Sequence, residues 1–337
     1  MSKWIKEELA TTPKAESTIV RIGKPKSGFV EVEMENGDHA QTSIHGSNLK
    51  EGDSVEYKIR KYKFTDKDDP DNVFTTNSYI GLKLKGVGHC IRALQGVDPS
   101  NIIFVDIETV SVVEKLKKNS DLYESWAYKM ERSKNMTDMY ELKNTYKEHS
   151  TLYPEFSRVF CVSIGRFVDG ELKVISYHDD NEEDLLAQAG TILAKYSSKR
   201  NVQICGHSVK GFDVPFLMRR MIINGVEVPE ILDVSGLKPW EVKLLDTYEL
   251  WKGSGYNSAS LVNITTAMGL PSPKGEITGK DVNKVYWEGE REKIVRYCEQ
   301  DVLAVANITF KMMGIPTLEN YESLTSFKAK DGAEEEE

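Results

Sequence analysis

The sequence predicts a two-part protein of the α/β class, in which a small all-β barrel precedes a mixed sheet flanked by helices. Three observations lead there. Residues 1–95 alternate short β-rich runs with turn residues and hold 15 basic against 14 acidic side chains, whereas residues 96–337 hold 29 against 39, so composition changes where the pattern does. From Asn101 onward, short continuous apolar runs alternate with helix-length stretches such as 111–149, which lacks Pro and Gly, as expected of strands buried between helices. The 337 residues also exceed the roughly 100–200 of one ordinary domain.

In the first part, residues 17–23, 28–34, 39–44 and 54–64 read as short strands. Turn chemistry separates them, notably Asn36-Gly37-Asp38 and Lys50-Glu51-Gly52-Asp53. Residues 67–72 form a solvated loop, and 77–85 supply a further strand. In the second part, Ile102-Ile103-Phe104-Val105 is a strand buried on both faces, and 111–149 forms one or two helices. A hairpin over 158–167 and 171–177 turns at Asp169-Gly170, followed by a helix at 183–196 and a short buried strand at 202–205. The next helix starts near Pro215, a residue suited to the first helical position, and stops at Asn224-Gly225. Further helices are expected at 240–251, 260–268 and 290–313. The expected division is a module over 1–95, a domain over 96–325 and a disordered acidic tail over 326–337.

Composition narrows the function. With 39% hydrophobic and 29% charged residues, the chain resembles neither a disordered nor a collagen-like protein. No stretch approaches the roughly 20 apolar residues of a membrane helix, and the first residues lack the apolar run of a secretory signal, so no membrane partner and a cytoplasmic location are expected. Cys90, Cys161, Cys205 and Cys298 are widely spaced, with no Cys-x-x-Cys and no histidine pair at zinc-ligand spacing. Cys161 and Cys205 lie in apolar runs and read as core residues. A net charge of −9 argues against a protein that coats nucleic acid through bulk charge, but not against an enzyme that holds metal ions with carboxylates.

Three short segments carry chemistry. Asp106-Ile107-Glu108-Thr109 follows the strand at 102–105; in extended backbone Asp106 and Glu108 face the same way, either as a metal-binding pair or as two solvated acids past the strand's end. Asp213 stands at a helix start after a glycine-containing loop, in Gly206-His207-Ser208-Val209-Lys210-Gly211-Phe212-Asp213, and reads as a ligand or as a helix cap. Tyr297-Cys298-Glu299-Gln300-Asp301 puts a phenol and a carboxylate on one helical face, close to the apolar Ile294, Val305 and Ile308. A carboxylate bordering an apolar stripe needs a partner.

The order of these segments, together with Leu245-Asp246-Thr247 and Gly269-Leu270-Pro271-Ser272-Pro273, resembles the tyrosine-bearing branch of the DEDD, or DnaQ-like, superfamily of 3′–5′ exonucleases. More narrowly, it resembles stand-alone bacterial and phage exonucleases related to the proofreading domain of family B DNA polymerases, over roughly residues 100–316. The resemblance implies a ribonuclease-H-like fold, a nucleic-acid substrate with a free 3′ end, most simply single-stranded DNA with RNA as the alternative, and two divalent cations, Mg2+ or Mn2+. It implies that Asp106 bridges both ions, Glu108 and Asp301 hold the water-activating one, Asp213 supports the other, and Tyr297 orients the water. Ile107, Thr109, His207, Ser208, Lys210 and Phe212 would form the substrate-contacting set, although Phe212 reads equally as core and His207 as a buried structural residue. Asp246 is a candidate helper or a helix cap. Ser208 departs from the asparagine usual at that position. A non-catalytic protein on the same scaffold is the rival reading.

The amino-terminal module is similar to an OB or cold-shock barrel, without most of the clustered aromatics of that family. Lys58, Arg60, Tyr62 and Phe64 would share one face of a strand, as a single-strand-binding groove or as an ordinary lysine-protected edge. A protein partner for this module is the other expectation.

Overall fold

The computed structural model describes residues 4–24, 29–43, 49, 51–84, 90–134, 138–199, 201–238, 241–242, 244–257, 259–273 and 275–327. The chain divides into two compact units, Met1–Pro99 with Phe310–Thr317, and Ser100–Thr309 with Leu318–Glu337.

The described strands of the first unit are β1 (Trp4–Thr11), β2 (Ala15–Ile22), β3 (Phe29–Met34), β4 (His39–Ser43), β5 (Ser54–Asp66) and β6 (Val73–Leu84). Strands β2, β3 and β4 run as an antiparallel meander, β4 meets β6 in parallel at Gln41 and Ser78, and β5 pairs antiparallel with both β6 and β2. The ring β2–β3–β4–β6–β5 therefore closes on itself, around Ile19, Val32, Met34, Val55 and Tyr57. Gly37, at φ +85°, supplies the left-handed turn between β3 and β4 that a side chain would resist. Strand β1 was not expected from the sequence. Its exposed Lys6, Glu7 and Glu8 lack an apolar pattern, and it exists through its ladder with the far half of β5.

The second unit contains β7 (Ile102–Ser111), α1 (Asp121–Lys134), α2 (Met139–His149), β8 (Ser157–Val168), β9 (Glu171–His178), α3 (Glu182–Ser197), β10 (Gln203–Gly206), α4 (Asp213–Ile223), β11 (Leu245–Asp246), α5 (Thr247–Lys252), α6 (Leu261–Met268), α7 (Val282–Trp287), α8 (Arg291–Met313) and β12 (Glu322–Ser323). The last turn of α8, from Phe310, is grouped with the first unit. The sheet is mixed, in the order β11–β10–β7–β8–β9–β12, with β7, β8 and β9 antiparallel and the other pairings parallel. Alternation along β7 sends Ile103, Val105 and Ile107 into a core with Leu185, Leu193, Val214, Leu217 and Met221 of α3 and α4. On the opposite face, Val110, Phe160 and Cys161 pack against Ile294, Val295 and Cys298 of α8. The coarse expectation of a mixed α/β architecture holds.

Several local expectations do not. Strand β7 continues to Ser111 instead of ending at Val105, because β8 pairs with it as far as Ser157, through a bulge at Glu108 and Thr109. The helix expected over 240–251 gives way at Leu245–Asp246 to a strand on β10, and Asp246 then caps α5. Helix α4 begins at Asp213, which makes Pro215 its third residue. Helix α7 and strand β12 went unanticipated. Positions 28, 44, 85, 135–137, 240, 243 and the tail residues 328–337 lie outside the described residues, while Phe327 still packs against the α7–α8 cluster. Among the described residues, no helix is long and apolar enough to cross a membrane.

Candidate active site

Because β7 runs on past Val105, Asp106 and Glu108 are strand residues on the α8 side of the sheet, not solvated acids in a loop. Glu108 is buried and Asp106 keeps a partly open edge. Asp106, Glu108 and Cys298 each bring one ligand-type atom within 4.8 Å of the others. Cys298 donates from its thiol to Asp106 Oδ2 at 3.2 Å and to the Asp106 carbonyl at 3.4 Å, fastening α8 to the strand.

Asp213 reaches the same place from the start of α4. Its Oδ1 accepts the Ile107 backbone N–H at 3.2 Å, so the second segment is hydrogen-bonded to the middle of the first. The loop leading there is shaped by three features. Gly206 has no room for a side chain, since a Cβ would lie 2.7 Å from the Val209 Cβ and 2.8 Å from the Val105 carbonyl oxygen. Ser208 takes φ +64°, a left-handed conformation that asparagine tolerates better than serine. Its carbonyl accepts from Gly211 N and Phe212 N. Asp246 grips the same loop, accepting Ser208 N at 2.9 Å and Lys210 N at 3.1 Å while capping α5 through Tyr248 N.

Helix α8 brings the last two groups. Tyr297 donates its hydroxyl to Asp301, one turn on. The other Asp301 oxygen, Oδ1, is buried without a hydrogen-bond partner. An orphaned buried carboxylate oxygen is costly unless something absent from the polypeptide meets it.

The electrostatics agree. Loss of solvent, then the charges of Asp301 and Asp213, push Asp106 well above the usual carboxylate range. Burial followed by Asp106 and Asp301 does the same to Glu108. Burial pushes Asp213 up to about 7 against the pull of its own and Ile107's backbone N–H groups, and Asp301 up to about 7 against the Tyr297 hydroxyl. Burial, then the charges of Asp301, Glu108 and Asp106, raise the Tyr297 phenol, so it stays protonated near neutrality. No cationic side chain is hydrogen-bonded to these four acids among the described residues.

The remaining expected residues are distributed differently. The Ile107 side chain is in the core, and only its backbone faces Asp213. Thr109 is buried, donating to the Thr151 carbonyl at 2.8 Å. His207 bonds Thr247 Oγ1 at 3.0 Å, and burial lowers its pKa, which leaves it neutral at pH 7. Lys210 pairs with Glu249 at 2.7 Å, and Phe212 packs on Phe216. In the first unit Lys58 is exposed, Arg60 is held by Glu8 at 3.1 Å, and Tyr62 and Phe64 share one face of β5. Lys6 covers Tyr62, and Phe64 stacks on Phe74.

Cys298 and Glu299 escaped sequence reasoning as site groups. Their one signal is position, since both lie between Tyr297 and Asp301, and Glu299 is only 2% exposed.

Residues 150–316 match the family described as predicted 3′–5′ exonucleases related to the exonuclease domain of PolB. The match takes in Ser208, Asp213, Tyr297 and Asp301 and begins after Asp106 and Glu108, so it is the fold that joins the first two acids to the rest. It agrees with the DnaQ-like resemblance read from the sequence. No curated protein matches the chain.

Proposed function

We propose that the chain is a metal-dependent 3′–5′ exonuclease that hydrolyses phosphodiester bonds from the 3′ end of DNA, with single-stranded DNA as its substrate. The observation that carries this reading is one cluster. Four carboxylates from β7, α4 and α8 converge beside a protonated tyrosine, with a buried Asp301 oxygen left over. The donor set fits hard divalent ions of the magnesium or manganese type, because oxygen ligands dominate it and the charges need cancelling.

Two such ions, when bound, supply an activated water and stabilise the leaving 3′-oxygen. In this reading Asp106 is shared between them, Glu108 and Asp301 hold one, and Asp213 supports the other. Tyr297 is not a base, since its proton is held. Having given its hydrogen to Asp301, its oxygen remains free to accept one from the attacking water and to orient it. Asp246 acts through backbone, setting the loop that delivers Asp213. The five-strand closure of the first unit supports an OB-like reading, and Tyr62 and Phe64, joined by Trp4 and Phe74, support its contact with a single strand.

The test is a time course on 3′- and 5′-labelled single-stranded DNA, duplex DNA and RNA with Mg2+, Mn2+ or EDTA. Loss of the 3′ label as mononucleotide, and progressive shortening of the 5′-labelled strand, are expected only with metal. Cleavage in EDTA, or release of the 5′ label first, would remove the mechanism, and faster trimming of RNA would reassign the substrate.

A further inference from the structure

A buried polar chain leads from Asp106 to the far side of α8. Cys298 donates to Asp106 and is hydrogen-bonded to Cys161, which is 3.8 Å from Ser163 Oγ. Ser163 is 2.7 Å from Ser176 Oγ, and Ser176 donates to Glu299 Oε1 at 3.0 Å. Ser163, Ser176, Cys161, Cys298 and Glu299 are all buried. Glu299 in turn accepts from Ser323 Oγ at 3.0 Å, from Thr325 Oγ1, and from the Tyr321 hydroxyl at 3.1 Å. Those three residues belong to the segment around β12, beyond the last residue of the family match, 316.

Hydrogen counting orients the chain. Ser176 spends its one hydrogen on Glu299, so Ser163 must donate to Ser176. Cys161 must then donate outward, to Ser163 or to Cys298, and Cys298 is left to donate to Asp106. Each group has a single use for its hydrogen, and removing one leaves neighbours unmet in a dry interior.

We infer that this chain positions the Asp106 carboxylate for metal, with Glu299 and the segment 321–325 as its anchor. The inference rests on the metal-dependent reading above and extends it. Glu299, Ser176, Ser163 and Cys161 are positioning residues that act on the metal through Cys298 and Asp106. Groups that hydrogen-bond a metal's ligands commonly change metal affinity by about 10- to 100-fold.

The test is Mn2+ binding to the full chain, read by electron paramagnetic resonance of free against bound Mn2+. Ser163→Ala cuts the chain at its middle without touching Glu299, the 321–325 segment or any carboxylate. It is expected to weaken Mn2+ binding about 10-fold. Ser176→Ala is expected to do the same. Thr309→Val serves as the control, removing a buried hydroxyl bonded to Val305 and Cys205 outside the chain, and is expected to leave Mn2+ affinity unchanged. Should Ser163→Ala and Ser176→Ala both bind Mn2+ as the unaltered protein does, the positioning role is overturned while the metal site stands. Should Thr309→Val weaken binding equally, the effect is general loosening and the role is likewise overturned. Absence of Mn2+ binding by the unaltered protein would overturn the metal-dependent reading itself, and this inference with it.

Discussion

Two places in the second unit bury acids, and they treat them in opposite ways. Glu182, at the start of α3, is buried against a buried Arg220; it accepts Arg220 Nε at 2.9 Å, a second guanidinium nitrogen, Val159 N at 2.7 Å and Asn224 Nδ2 at 3.1 Å. Every lone pair has a use and a cation answers the charge. At Asp106, Glu108, Asp213 and Asp301, four acids share a space with no protein cation bonded to them and one oxygen unmet. A buried charge that serves the fold comes with its partners. One that lacks them marks demand for something from outside the chain.

The largest expected effect breaks the second place. Asp106→Ala is expected to lower turnover about a thousandfold or more while the metal-free fold survives, because it removes repulsion as well as a ligand. Initial rates and circular-dichroism melts on the same sample check this. The opposite outcome belongs to the first place. Arg220→Ala leaves Glu182 buried without its cation and is expected to cost about 3–5 kcal/mol in urea denaturation. Rates per folded molecule at low temperature are expected to change little.

A smaller effect sharpens the contrast. Asp213 and Asp301 hold their protons up to about 7 in the fold, against roughly 3.9 in an unfolded chain. Acids with raised folded-state pKa values contribute stability that is full below the unfolded value and is lost as pH rises through about 7. The metal-free melting temperature is therefore expected to fall between pH 5 and 8 by more in the unaltered protein than in Asp301→Asn. A steeper fall in the variant would contradict the assignment. Adding Mn2+ is expected to restore more stability at pH 8 than at pH 5, since protons no longer compete. The smallest effect is Ser208→Asn, which eases the left-handed backbone and is expected to gain roughly 0.5–1 kcal/mol, measured by denaturation.

The contrast also explains what the sequence revealed. Asp106, Glu108, Asp213, Tyr297 and Asp301 were legible because buried acids among apolar neighbours are conspicuous in a linear reading. The length of β7 was not, since an acid after four apolar residues looks like a strand end; only β8, pairing from elsewhere in the chain, extends it. The helix expected over 240–251 failed for a similar reason, as Leu245 and Asp246 answer to β10 rather than to their neighbours. Strand β1 hid behind exposed charges. Glu299 resembled one more acid on a helix, because the hydroxyls that satisfy it arrive from residues 176 and 321–325.

The central claim is that the four carboxylates hold divalent ions, and anomalous diffraction from crystals soaked in Mn2+ tests it most directly. The account predicts two strong peaks enclosed by Asp106, Glu108, Asp213 and Asp301, both lost in Asp106→Ala. Peaks only elsewhere on the surface, or none at all at saturating Mn2+, would contradict it.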